Sequence, residues 1–272
     1  MSLATNGLLM LAIAFLWLRE HSLPLLRQTD LTLPSVQLLL AQMPPPEESP
    51  EELGERHQLS YQQWVDLLAK EANFVAEAKP EHLYILLGDS ISLWFPPEML
   101  PPNKHWLNQG ISGERSQGLL QRLDVLDSTN PKAIFLMIGI NDLLHGVSDQ
   151  TLLANQRLII QDLRRVHPEA KIVVQSILPH SGEKATWEGR DRLLKIPPER
   201  IQRLNKRLEA IATEEDALYL DLYTLFADEQ GDLKSSFSTD GLHLSPEGYK
   251  LWSIALEICT QLLVESKLDS SR

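Results

Sequence analysis

Ser90, Asp240 and His243, with Asn141 and a glycine loop around Gly113, are the residues whose types could together carry out acyl chemistry. A serine hydroxyl is a weak nucleophile until a base removes its proton. Imidazole titrates near neutral pH, which suits His243 to that task. Asp240 lies three residues earlier, on the same turn. That spacing lets its carboxylate reach the other ring nitrogen, hold the tautomer and stabilise the imidazolium. Attack on a carbonyl creates an oxyanion, for which the backbone N–H groups of Ser90 and Gly113 and the side-chain amide of Asn141 are candidate donors. Each feature also has a plainer reading. Gly88-Asp89-Ser90 can be a turn with Ser90 as a helix N-cap, the glycine loop an ordinary turn, and Asn141 a turn cap.

The elements that must position these residues are legible as apolar runs. Leu83 to Leu87 is apolar throughout and stops at Gly88-Asp89-Ser90. Such a run reads as a buried parallel strand feeding a loop. In an open α/β sheet ligands bind beyond the carboxyl ends of the strands. Trp106-Leu107-Asn108 is a short second strand leading into Gln109-Gly110-Ile111-Ser112-Gly113-Glu114-Arg115-Ser116, and a helix follows with Leu119, Leu120, Leu123 and Leu126 on one face. Gly110 competes with Gly113 as the donor glycine. Ala133 to Ile138 is the clearest buried strand, and it ends at Gly139-Ile140-Asn141-Asp142, at the level expected for Ser90.

Helices are expected from Ser60 to about Ala78, from Asp149 to Val166, from Pro198 through Ile211, and from Pro246 onward with Ser245 as N-cap. Two further strands are expected at Lys171–Ile177 and Ala217–Leu222. Residues 180–197 are polar, with Trp187 and seven charged side chains. They are a candidate lid or substrate contact, and Trp94-Phe95-Pro96-Pro97 is a second candidate wall of the pocket. Cys259 is expected to be a small core residue rather than a reactive thiol. Five strands alternating with helices imply a parallel sheet covered on both faces.

The 272 residues are 43% hydrophobic and 23% charged, an ordinary globular composition, and the net charge is −12. An acidic chain is a poor partner for nucleic acid, which needs a basic face to displace counterions. One cysteine excludes an internal disulfide, and the eight histidines show no His-Glu-x-x-His spacing, so neither a metal nor a cofactor is expected. Residues 3–18 carry no charged side chain. They fall just short of the ~20 residues that span a bilayer comfortably. An uncleaved anchor is the preferred reading, with a signal peptide and a buried helix as the alternatives. An anchor would give a membrane-associated protein with possible membrane contact through this run. Arg19 and Arg27 on its carboxyl side would then favour the cytoplasm, with a secreted or periplasmic location still open. Three organisational units follow: residues 1–42, a Pro/Glu-rich linker over 43–55 with three consecutive prolines, and a folded domain over 56–268.

Gly88-Asp89-Ser90-Ile91-Ser92, the Gly113 loop, Gly139-x-Asn141-Asp142 and Asp240-x-x-His243 resemble, in order and spacing, the four blocks of the SGNH, or GDSL-type, hydrolases. Ile111 to Gln117 is similar to the glycine block of the bacterial thioesterase/lysophospholipase members, and the later part resembles the platelet-activating-factor acetylhydrolase-like members. The resemblance covers about residues 80–265. It implies a three-layer α/β/α flavodoxin-like domain with strand order 2-1-3-4-5, and metal-free ester hydrolysis. It assigns Ser90 as nucleophile, Gly113 and Asn141 as oxyanion donors, and Asp240 with His243 as the acid–base pair. The expected activity is that of a serine esterase acting through an acyl-enzyme on a small lipid or acylated carbohydrate ester. An acyltransferase onto a sugar or lipid hydroxyl, and a catalytically silent lipid- or glycan-binding module, are the competing readings. No Gly-x-Ser-x-Gly elbow occurs, which disfavours an α/β-hydrolase fold.

Overall fold

A computed structural model describes residues 59–270. The proposed anchor, its membrane contact over 3–18 and the 43–55 linker lie outside the described residues. Among those described, no helix is long and apolar enough to cross a membrane.

The first element is α1, Tyr61–Ala78. Ser60 starts it with a reciprocal cap: its Oγ accepts from Gln63 N, and Gln63 Oε1 accepts from Ser60 N at 2.7 Å. Lys79 in the left-handed conformation, followed by Pro80, stops it. Strand β1 (Leu83–Gly88) leads into a single helical turn, α2 (Ser90–Leu93). Then come β2 (His105–Gly110), α3 (Ser116–Gln121), β3 (Ala133–Met137), α4 (Ile140–Leu144), α5 (Asp149–Val166) and β4 (Lys171–Gln175). The chain continues through α6 (Arg190–Leu193), α7 (Pro198–Glu214), β5 (Leu218–Leu220) and α8 (Tyr223–Phe226) to the long α9 (Pro246–Ser270).

The five strands are all parallel, in the order β2-β1-β3-β4-β5. This is the flavodoxin-like three-layer α/β/α architecture, as expected. Every residue of β1 and β3 is buried, because both faces of a central parallel strand are covered. The edge strands β2 and β5 are partly exposed, which is why their apolar signal is short. Right-handed crossovers carry α3, α5 and α7 over one face, where α3 packs on α5 and α5 on α7. Helix α9 packs against residues 97–99 and inserts Trp252, whose Nε1 donates to Gln175 Oε1 at 2.7 Å.

Four expected boundaries shift: β5 keeps only Leu218–Leu220 of the expected Ala217–Leu222, and the other three shift for a local reason. Strand β2 runs from His105 to Gly110 rather than over three residues, its register with β1 being complete from Leu83–His105 to Gly88–Gly110. Strand β4 stops at Gln175, two residues early, because the side-chain amide of Asn205 takes both backbone groups of Ile177, each at 2.9 Å. The helix after the glycine loop breaks after Gln121 and continues as a 3-10 turn over Leu123–Leu126. Arg122 at the break turns inward and is 3% exposed. Cys259 packs against the core, and burial pushes its thiol up to about 12, as befits an inert sulfur.

Candidate active site

The register of the three central strands sets the site. Gly88 pairs with Gly110 on one side and with Met137 on the other. Three loops therefore leave the sheet at one level, and they carry Ser90, Gly113 and Asn141. Asp89, not Ser90, is the N-cap of α2: its Oδ1 accepts from Ile91 N at 3.0 Å. The capping reading of this tripeptide was right about the turn and one residue off. Because Asp89 caps, Ser90 falls at the first helical position, where its N–H has no intrahelical acceptor and its hydroxyl is left for another partner.

That partner is His243. Ser90 Oγ lies 3.2 Å from His243 Nε2, and His243 Nδ1 lies 2.7 Å from Asp240 Oδ2. The other oxygen of Asp240 accepts from the backbone N–H groups of Leu242 at 2.9 Å and His243 at 2.8 Å. Burial acts to raise the Asp240 carboxyl. The hydrogen bonds from the His243 ring and from these two N–H groups outweigh it and hold the acid below the ordinary carboxylate range.

Between the rival glycines the structure discriminates. The N–H of Gly110 is taken by Asn108 Oδ1 at 3.0 Å, and a Cβ there would meet Leu93 N at 2.4 Å, so Gly110 serves close packing of β2 on α2. Gly113 has φ +74°, a conformation that favours glycine, with nothing within 4 Å of where its Cβ would stand. No acceptor for its N–H occurs among the described residues. Gly113 also borders a cleft of about 360 Å³ lined by Tyr61, Arg115 and Gln117, and that cleft is separate from Ser90, Asn141 and His243, none of which lines it. Asn141 is 7% exposed, and its Nδ2 is buried without a hydrogen-bond partner. A buried donor left unpaired is costly unless a ligand oxygen completes it. Its amide also eases ionisation of Asp89, an electrostatic influence short of a well-formed hydrogen bond.

Two supports involve residues whose bracing roles the motifs do not state. Asp142 accepts from Ser116 N at 2.8 Å and from Ser116 Oγ at 2.6 Å, tying the Asn141 loop to the end of the Gly113 loop. Burial is the main reason the Asp142 carboxyl is raised, and the Ser116 bonds oppose it. Glu114 and Arg122 form a fully buried pair, Arg122 Nε to Glu114 Oε1 at 2.8 Å, with Arg122 Nη2 donating to Gln109 O at 2.7 Å and Tyr61 Oη to Glu114 at 2.9 Å. This clamp holds the Gly113 loop against β2. A Glu and an Arg eight residues apart carry no helical or strand signal, so only burial reveals them.

The 180–197 segment is not a free lid. Ser181 N donates to Gly241 O at 2.8 Å, and Thr186 N and Trp187 N both donate to Asp240 O at 2.8 and 2.9 Å. Ala185, Leu193 and Ile196 are buried in the core. The segment braces the loop that carries Asp240 and His243. Of the other wall candidate, Phe95 is buried against Tyr249 and Trp252, with ring centroids 5.1 and 4.9 Å away, and Trp94 packs against the His243 ring.

Asp89 has a measurable consequence. Burial, aided by the nearby Glu114 and Asp142 carboxylates, pushes its carboxyl up to about 7. A folded-state value raised above the unfolded one means a stabilising share fully present below about pH 4 and lost as pH rises through 7. Asp89→Asn keeps the cap acceptor and removes the ionisation. Its melting temperature relative to wild type should therefore rise between pH 5 and 9; a difference that stays flat with pH would contradict a buried, titrating Asp89.

The fold and these strand-end loops define a flavodoxin-like α/β/α domain with a Ser–His–Asp hydrogen-bonded chain at the mouth of its sheet. The chain belongs to the GDSL-like lipase/acylhydrolase family, whose model matches residues 86–251. It is 28% identical over 204 residues to the platelet-activating factor acetylhydrolase IB subunit alpha1 of Bos taurus, covering 69% of this chain and 82% of that one. A solved structure from Streptococcus pneumonia, named after platelet activating factor, is 26% identical with a TM-score of 0.65, covering 84% of this chain and 98% of its own. A GDSL-like lipase from Bacteroides thetaiotaomicron shares the fold at 21% identity and a TM-score of 0.58, over 73% of this chain and 99% of its own.

Proposed function

We propose that the protein is a serine esterase that hydrolyses carboxylic esters, acyl or acetyl, through a covalent acyl-enzyme. The observation that carries this reading is the continuous hydrogen-bonded chain from Ser90 Oγ through the His243 ring to Asp240. In the proposed cycle Ser90 Oγ attacks the ester carbonyl carbon while its proton passes to His243 Nε2. The tetrahedral oxyanion is bound by the N–H groups of Ser90 and Gly113 and by Asn141 Nδ2. Collapse breaks the bond to the alcohol, which leaves with the proton from His243. Water, deprotonated by the same imidazole, then attacks the acyl-enzyme, and Ser90 regains its proton as the acid departs.

Family membership supports ester hydrolysis in general. The acetyl hydrolysis in the name of the cattle relative favours short acyl groups here. The base and the oxyanion donors are all supplied by the chain's own residues, so turnover in this reading needs no metal and survives a chelator. An aryl ester series from acetyl to palmitoyl, run with a fluorophosphonate probe, tests the proposal. Hydrolysis of at least the short esters, with the probe bonded to Ser90, is expected. Absence of both would leave a binding module.

Asn141→Ala removes one oxyanion donor and also relieves a buried, unpaired amide. The expected result is a kcat reduced about 100- to 1000-fold with stability unchanged or slightly increased. An Asn141→Ala enzyme as fast as wild type would take the amide out of the mechanism.

A further inference from the structure

Trp94 touches the imidazole from outside the Ser–His–Asp chain. Its ring centroid lies 4.2 Å from that of His243, with the planes tilted by 38°. Trp94 is the residue that ends α2, its N–H bonded to Ser90 O, so nucleophile and indole are opposite ends of one helical turn. That turn is held on all sides. Tyr249 Oη donates to Ile91 O at 3.0 Å, Asn108 Nδ2 to Ser92 O at 2.6 Å, and Phe95 is sunk in the core directly behind Trp94. Trp94 is nevertheless 47% exposed. An aromatic ring so placed is not there to fill the core. It covers one face of the imidazole, whose two nitrogens are engaged by Ser90 and Asp240.

We propose that Trp94 is a positioning residue for the acid–base histidine: its indole locks the His243 ring between Ser90 and Asp240 and stabilises the imidazolium that forms as Ser90 gives up its proton. The proposal rests on the reading of His243 as the proton shuttle. An aromatic face attracts a cation through its quadrupole, and the attraction grows as water is excluded. Of the charged or titratable groups on the elements holding His243, Asp240 shares its loop and buried Asp89 lies under the nucleophile turn, while the bracing 180–197 segment carries buried His180 and the exposed Glu183, Lys184, Glu188, Asp191 and Arg192. Trp94 adds favourable electrostatics without adding another charge.

Trp94→Leu keeps the imidazole covered and deletes the π face, whereas Trp94→Phe restores a smaller one. With acetyl, butyryl and decanoyl aryl esters, the leucine variant should lose about 5- to 20-fold in kcat at a KM within about twofold for every chain length. The phenylalanine variant should recover most of that loss. A KM effect that grows with chain length at constant kcat would make Trp94 a substrate wall and overturn the proposal, as would full activity in the leucine variant. The NMR shifts of the His243 imidazole C–H resonances at one fixed pH give a readout independent of turnover. The ring-current displacement from an indole 4.2 Å away should be lost in Trp94→Leu and largely kept in Trp94→Phe. Unmoved resonances overturn the contact. If wild type neither hydrolyses esters nor labels while the resonances still move, the contact stands and the esterase reading alone fails.

Discussion

Ser90→Ala is expected to reduce turnover of an aryl ester at least about 10⁴-fold while melting within about 2 °C of wild type. The reduction is large because nothing else in the site replaces the lost atom. In the proposed cycle the hydroxyl is the attacking group, and a water in its place would have neither its position nor the covalent intermediate that divides one hard step into two. Stability should hold because, among the described residues, Ser90 Oγ bonds only to His243 and caps nothing, the N-cap duty falling to Asp89. Substitutions that remove no cap and create no sizeable cavity change stability little. kcat measured beside a thermal melt settles the matter. A folded Ser90→Ala protein retaining a tenth of wild-type activity would remove this residue from catalysis.

Asp240→Asn should cost about 10⁴-fold in kcat, far more than its near-isosteric change suggests. Asp240 Oδ1 accepts two backbone N–H groups, and Oδ2 accepts from His243 Nδ1. An asparagine will point its oxygen at the two N–H groups, since the reverse would set donor against donor. Its NH₂ then faces Nδ1, which must become the acceptor, and the ring proton moves to Nε2. Nε2, 3.2 Å from Ser90 Oγ, is the atom that accepts the serine proton in the proposed cycle. The variant is thus folded but holds the wrong tautomer. The pH sense follows from the same bonds. A carboxyl held below its ordinary value stabilises the fold above the ordinary carboxylate range, and that share is lost as pH falls through the folded value. Asp240→Asn should accordingly lose less stability than wild type on acidification. Activity within tenfold of wild type would show that Asp240 does not set the tautomer.

Much of this site was legible before any coordinates. Ser90, Asn141 and Gly113 stand just past apolar runs that end in glycine, and in a parallel sheet such ends converge. The bracing residues were not legible. Arg122 reads as a surface cation on a helix, and only its burial against Glu114 shows that it clamps the glycine loop. Asn205 sits among helical leucines, yet it ends β4 by taking both backbone groups of Ile177. Residues 180–197 are polar enough to pass for a lid, because hydrogen bonds from backbone N–H groups to Asp240 and Gly241 leave no trace in side-chain pattern. Trp94 and Phe95 are adjacent aromatics, and whether each goes to core or site depends on which neighbours arrive.

Residue pattern alone determined that the five strands and the long helices exist, and the order of the four loops that hold the candidate site residues. These depend on periodicity and on groups within a few residues of one another, where the chain's own geometry decides. Tertiary structure decided the rest: which glycine keeps a free N–H, which aromatic covers the imidazole, and what holds each loop still. The bond from Ser90 to His243 closes a separation of 153 residues, and no local preference reaches that far. Only packing of the sheet and its helices, which sets three strand ends at one level and braces the loops beyond them, brings hydroxyl, ring and amide to one place.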